Sequence, residues 1–256
     1  MLKFSEANAK TGRLNKVHRL RKWLKNKKKV YSLDLPAGHS CPQAKLCRSS
    51  VTKQPNGKLK LTDGPHCQFR CFSATAEVFY PTVYEARQHN FSLIKQAKTP
   101  HKIARLILDN LPPNCGILRY HVSGDFFSAA YFQAAIKVAQ ARPDVLFYGH
   151  TKNIPMLVKY GDSLPPNLRL SASHGGRYDH LIPKYNGPNS IVVFSEKEAR
   201  KKHRKIDHDD SHLILSNKPF ALLVHGIQPK GTAASKAVFA LRRKGVNYSY
   251  SRKGNK

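Results

Sequence analysis

Acidic side chains are scarce in this chain. Asp and Glu number 15 against 45 Lys and Arg over 256 residues, a formal net charge of +30. So large an excess goes far beyond what solubility needs and draws a chain towards polyanions. No apolar run approaches the ~20 residues of a membrane span, and the N-terminus is basic and polar, without the apolar stretch of a secretory signal. A cytoplasmic location with reduced thiols and no membrane partner is therefore expected. Tryptophan occurs once and methionine twice. The five cysteines never form the two-residue-spaced knuckles of common zinc motifs, and no His-hydrophobe-His pair of the kind a rolling-circle nickase needs is present.

The positive charge is unevenly placed. Residues 1–29 carry eleven Lys or Arg against the single acid Glu6, and residues 230–256 carry eight with no acid. A third basic run lies between Glu196 and Lys205. Basic ends beside a more neutral middle read as arms that grip phosphates. The candidate nucleic-acid contacts are Arg19, Arg21, Lys22, Lys25, Lys27, Lys28 and Lys29 at one end. Lys201, Lys202 and Arg204 follow in the middle, and Arg242, Arg243 and Lys244 at the other end. The partner is expected to be nucleic acid, DNA or RNA. Leu14, Val17, Leu20, Trp23 and Leu24 predict a basic helix with a narrow apolar stripe, in which Trp23 packs or stacks on a base.

The stretch Gly116–Ser128 organises the rest. Its apolar start reads as a buried strand, and Ser123-Gly124-Asp125 closes it. Phe127, Ala130, Tyr131, Ala134, Ala135 and Val138 then follow at one-face helical spacing. The pattern strand, polar end, connection recurs at 30–35, 145–151, 167–173, 190–195 and 220–226, and helices are predicted over 72–97, with a break at Pro81, and over 102–110. This predicts an α/β fold with a mostly parallel sheet, a partial (β/α) barrel, carrying a Cys-rich loop and basic terminal arms. The expected organisation is a basic N-terminal arm over 1–29, an α/β core over 30–229 with the Cys-rich loop at 39–71, and a basic C-terminal helix and tail over 230–256.

Parallel strands put their carboxyl ends on one rim, where α/β proteins keep their chemistry. The rim is expected to gather His121, Ser123, Asp125, His150, Lys152, Ser173, His174 and His225. Catalytic candidates are Asp125, His121, Ser123, His174, Arg177 and His225, because a carboxylate among imidazoles and cations can move protons or bind a substrate amine. Gly124, Asp125 and Lys152 are the candidate cofactor contacts. The competing reading makes Asp125 a helix cap and Gly124 a mere turn.

A loop as long as 39–70 calls for a reason. Cys41, Cys47, Cys67 and Cys71 fall within 31 residues and suit one metal centre, zinc or [4Fe-4S], since thiolates are preferred ligands of both. His39 and His66 stand beside cysteines as substitute ligands; free thiols are the alternative. The loop's turn signals, Gln54-Pro-Asn-Gly57 and Asp63-Gly-Pro65, argue for little regular structure. Cys115 reads as a packing residue.

Leu35-Pro-Ala-Gly-His-Ser-Cys-Pro42, Cys67-Gln-Phe-Arg-Cys-Phe72, His121-Val-Ser-Gly-Asp-Phe-Phe127, Phe147-Tyr-Gly-His-Thr-Lys152, Ser173-His-Gly-Gly-Arg177 and Ile206-Asp-His-Asp-Asp-Ser-His212 together resemble the phage and plasmid family called gene product 88. The resemblance covers about residues 5–252 and implies a mobile-element protein without implying a reaction. The order of first strand, cysteine loop and Gly-acid turn is also similar to radical S-adenosylmethionine barrels. That likeness implies an iron-sulfur cluster with S-adenosylmethionine beside it, although Cys67-x3-Cys71 lacks the third cysteine in place. The functional expectation is a nucleic-acid-associated metalloprotein that processes or modifies its substrate. The alternatives are a non-catalytic binding protein with a structural centre, and a metal-dependent nuclease using Asp125, Asp179, Asp207, Asp209 and Asp210.

Overall fold

A computed structural model describes residues 1–246. Along the chain run β1 (Phe4–Glu6), β2 (Lys29–Leu33), a hairpin of β3 (Ser49–Lys53) and β4 (Leu59–Asp63), and helices α1 (Phe72–Phe79), α2 (Pro81–Ala97) and α3 (Pro100–Asn110). Then come β5 (Cys115–Tyr120), α4 (Ala129–Ala141), β6 (Leu146–Thr151), α5 (Ile154–Tyr160), β7 (Leu168–Ser173), β8 (Asn189–Val193) and α6 (Glu196–Lys201). The last elements are β9 (Lys205–Ile206), α7 (Ser211–Leu215), β10 (Phe220–Leu223) and α8 (Ala233–Arg243). One sheet of eight strands has the order β1-β2-β5-β6-β7-β8-β10-β9, and β3 and β4 pair separately. Only β1 runs antiparallel to its neighbour; every other pairing in the large sheet is parallel. The α/β class and the mostly parallel sheet are as the sequence predicts. The sheet is open, with β1 and β9 as its edges. No described helix is long and apolar enough to cross a membrane.

Every residue of β5 is buried, as expected of a central parallel strand covered on both faces. On one face Leu33, Leu118, Tyr120, Phe147 and Leu170 pack with Ile103 and Ile107 of α3 and with Tyr131, Phe132, Ala135 and Val138 of α4. α4 starts where Ser128 Oγ accepts the Tyr131 N–H at 3.2 Å, and α3 starts at Thr99, with Pro100 in its first turn. Both arrangements satisfy amides that a helix start leaves orphaned.

The other face is covered by the chain's own N-terminus. Residues 1–29 do not stand off as an arm: β1 joins the sheet edge, and Leu14 and Leu20 pack with Val30, Ile117, Leu146, Tyr148, Phe220, Leu213 and Ile214. The predicted helix is instead two 3₁₀ turns, Thr11–Lys16 and His18–Trp23. The narrow Leu14/Val17/Leu20 stripe and the short helix α7, through Leu213 and Ile214, together cover Ile117 and Tyr148 on this face. Trp23 is a partly buried packing residue of this cluster.

The Cys-rich loop is more regular than its turn signals suggest. Gln54-Pro-Asn-Gly57 turns the β3–β4 hairpin, with Gln54 N–H donating to the Lys58 carbonyl at 2.8 Å and Gly57 at φ 78°. Asn-Gly between alternating strands is a hairpin signal rather than evidence for irregular loop. Val51 of β3 is buried against Ala74, Leu61 and Tyr84. The predicted C-terminal helix is α8; residues 247–256 of the expected tail lie outside the described residues.

Candidate functional site

The carboxyl ends of β5, β6, β7 and β10 meet the Cys-rich loop around a cavity of about 170 Å³. Cys41, Cys47 and Cys71 line it from the loop, and His121, Ser123, Gly124, Asp125, His150, Thr151, Lys152, Ser173 and His225 line it from the sheet. Arg70 and Arg119 complete its polar wall.

The turn after β5 is fixed by its backbone. Gly124 has φ 92°, and a Cβ there would come within 2.6 Å of both Leu35 Cβ and Ser40 Oγ, so only glycine fits. Three buried carboxylates hold the turn. Asp34 Oδ1 accepts the Val122 N–H at 2.7 Å, and Glu77 Oε1 accepts the Ser123 hydroxyl at 3.2 Å while pairing with Arg87 at 2.9 Å. Asp125 Oδ1 accepts the Thr151 hydroxyl at 2.5 Å and the Phe126 N–H at 2.7 Å, and its Oδ2 accepts the Lys152 N–H at 2.8 Å. Burial raises the Asp125 carboxyl, and the hydrogen bonds from Thr151 and Lys152 offset this only in part. Asp125 therefore is not the cap of α4, a role Ser128 fills. It ties the β5 turn to the end of β6, beside Lys152, whose ammonium donates to Ser173 Oγ at 2.8 Å.

The imidazoles divide. His121, at φ 66°, turns its ring among Phe126 and Tyr131, with centroids 4.7 and 5.6 Å away, and its Nε2 meets the Tyr131 hydroxyl at 3.0 Å. Burial lowers it to about 3, so it is a neutral core histidine at the cavity's edge. His225 donates from Nδ1 to the Leu223 carbonyl at 2.8 Å and lies 4.6 Å from the Phe72 ring. His150 Nε2 is 3.9 Å from Asp210 Oδ1. Burial lowers both His225 and His150 to about 4. His174 and Arg177, predicted for the same pocket, lie elsewhere. His174 borders a neighbouring recess with Asp179 and Glu198, and Arg177 borders a separate cleft. The strand end that supplies Ser173 points inward, and the Gly175-Gly176 turn carries the next residues around the rim.

The cysteines also divide. Burial raises the Cys41 thiol well above its ordinary range, with Asp125, Cys71 and Cys47 adding to the shift. Burial and the neighbouring Cys47 push Cys71 up to about 11. Cys67 does not line the cavity; its thiol donates to the Phe69 carbonyl at 3.1 Å and lies 3.7 Å from Ser49 Oγ. His39 is engaged with the Val51 carbonyl at 3.0 Å and His66 is exposed. Among the described residues no group of three or more His, Cys, Asp or Glu is drawn together as a metal cage. Cys115 is buried in the main core, as predicted.

The aspartates considered for a nuclease are occupied separately. Asp179 accepts the Gly175 and Gly176 amides, and Asp207 accepts those of Asp209 and Leu213. Asp209 accepts the Ser211 amide, and Asp210 pairs with Lys10 and Arg119. Of the basic candidates, Arg19, Arg21, Lys22, Lys25, Lys27, Lys201, Lys202, Arg242, Arg243 and Lys244 are exposed. Lys28 and Lys29 form ion pairs with Asp144 and Glu6, and Arg204 Nη1 donates to the Asn189 and Phe220 carbonyls at 3.2 Å. Sequence reasoning missed Arg119 and Glu77. The signal for Arg119 was a cation inside an otherwise apolar strand, which demands a buried anion.

Fold and cavity define an α/β protein with an open parallel sheet and a thiol-lined cavity at its carboxyl rim. The chain belongs to the gene product 88 family, whose model matches residues 2–243. No curated protein and no solved structure matches it.

Proposed function

We propose that this protein is a metalloprotein of a phage or mobile element that processes or modifies nucleic acid, with the cavity at the sheet's rim as its site. The observation that carries this reading is that Cys41, Cys47 and Cys71, from distant points of one loop, line the same cavity as Gly124, Asp125 and Lys152. Three thiolates with an open fourth position form a donor set for catalytic zinc or for a [4Fe-4S] cluster with one exchangeable site. Without a cation, burial disfavours the thiolate forms of Cys41 and Cys71; a metal held by Cys41, Cys47 and Cys71 would reverse that preference. A metal supplies Lewis-acid or redox chemistry there. Lys152 offers a cation to an anionic substrate group, and Gly124 forms part of the cavity wall beside it. On the iron-sulfur branch, the space beside Gly124, Asp125 and Lys152 is where S-adenosylmethionine would sit.

A second reading has its own support. Asp125 spends its carboxylate on three hydrogen bonds within the protein, as in a structural centre, and the exposed cations suit a nucleic-acid-binding protein without turnover.

Anaerobic purification with metal and sulfide analysis and an absorption spectrum tests the centre. Brown protein with stoichiometric iron and sulfide supports the cluster, and stoichiometric zinc supports the zinc site. Metal-free protein with its fold intact overturns the metal centre.

A further inference from the structure

Beside the cavity, and sharing Ala44 with its wall, opens a cleft of about 440 Å³. Lys45 and Arg48 line it from the Cys-rich loop, His66 lines it from the turn after β4, and Arg177 lines it from the turn after β7. No acidic residue lines it. Among the described residues Lys45, Arg48 and Arg177 enter no ion pair. The acids nearest in sequence are already committed. Asp63 holds Arg70 through two hydrogen bonds to its Nε and one to Nη2, and Asp179 holds the Gly175 and Gly176 amides at 2.8 and 2.9 Å.

Backbone hydrogen bonds fasten the cleft's two walls together. Lys45 and Leu46 N–H both donate to the Gly175 carbonyl at 3.0 and 2.9 Å, and Arg177 N–H donates to the Gln43 carbonyl at 2.9 Å. Gly64 N–H donates to the Arg48 carbonyl at 2.7 Å. Three like charges held in a fixed cleft repel one another unless an anion lies between them, and guanidinium groups match phosphate geometry.

We propose that this cleft is a phosphate-binding track that seats the backbone of a polynucleotide and leads it to the neighbouring cavity. Lys45, Arg48 and Arg177 are its phosphate contacts. The inference rests on the nucleic-acid part of the reading above and gives Arg177 a binding role outside the cavity.

The test is fluorescence anisotropy with a labelled single-stranded RNA and a DNA of the same sequence, across salt, on the full chain. The triple variant K45A/R48A/R177A is compared with K95A/K102A/K137A, which removes equal charge from α2, α3 and α4. Melting curves on both establish that the fold is kept. The cleft variant is expected to lose at least about tenfold in affinity and about 2 from the log-log salt slope, at ~0.7 per single-strand phosphate contact. The remote variant is expected to stay within about threefold of wild type. Equal losses in the two variants overturn the cleft and leave the broader reading standing. No binding by wild-type protein overturns both. Inorganic phosphate or a mononucleotide displacing the oligonucleotide at equal phosphate concentration assigns the cleft to a small phosphate ligand and overturns the track.

Discussion

Lys10 places its ammonium 2.6 Å from Asp210 Oδ1, and Arg119 from the centre of the sheet reaches Oδ2 of the same carboxylate at 2.5 Å. The Tyr148 hydroxyl is 3.3 Å from that carboxylate. Burial works against the Asp210 charge, yet Arg119 and Lys10 outweigh it and hold the carboxyl well below its usual range. The N-terminal segment is thereby fastened to α7 and β5 through one buried acid. Removing Lys10 leaves Asp210 paired with Arg119 alone of its two close cations, so Lys10→Ala is expected to cost about 1.5–3 kcal/mol in urea denaturation, the loss of one buried charged hydrogen bond. Deleting residues 1–29 is expected to abolish folding, since it also strips Leu14 and Leu20 from the second core. A soluble, cooperatively unfolding truncated protein would count against this account.

The division of the cysteines makes a selective prediction. Cys41→Ala, Cys47→Ala and Cys71→Ala are each expected to lose most bound metal, while Cys67→Ala keeps it. Metal-to-protein ratios after purification under argon read the result directly. Equal loss in all four variants would restore the four-cysteine centre that spacing alone suggested.

Asp125→Asn keeps the shape of the side chain but presents an amide NH2 to a pocket that offers N–H and O–H donors. The expected loss of stability is about 1–3 kcal/mol, the cost of leaving a buried hydrogen-bonding group unsatisfied. Metal content is expected to persist, because the carboxylate lies beside the thiols and is not among the proposed ligands. Chemical denaturation and metal analysis on one preparation separate the two effects.

Acid is expected to destabilise the fold from about pH 6.5 downward. His150 and His225 titrate near 4 in the fold and His121 near 3, against about 6.5 in an unfolded chain. Over that window the unfolded state binds more protons, so stability falls as pH falls. Asp210 adds in the same sense below the ordinary carboxyl range, because its folded value is depressed. Asp125 and Asp207, both raised chiefly by burial, work in the opposite sense. Urea midpoints measured from pH 7 to 4.5 are expected to decline, and a flat profile would show that the histidines are not buried neutral.

Periodicity and spacing alone determined much of this protein. The apolar start of Gly116–Ser128 and the runs at 145–151, 167–173 and 220–226, separated by helices or loops, imply a parallel sheet, and a parallel sheet obliges His121, Asp125, Lys152 and His225 to share a rim. The break at Pro81 and the cap of α3 follow from backbone chemistry that is local in sequence. Tertiary structure decided what spacing cannot encode, namely which way a side chain turns and what it meets. Cys67 bonds to Phe69 instead of lining the cavity, and the Gly175-Gly176 turn takes His174 and Arg177 past it. The basic N-terminus became part of a core layer, because Leu14 and Leu20 join Leu213 and Ile214 of α7 over the sheet's second face and Asp210 needed a cation. Lys10 lies 200 residues from Asp210 in sequence, and only the packed fold brings the two together.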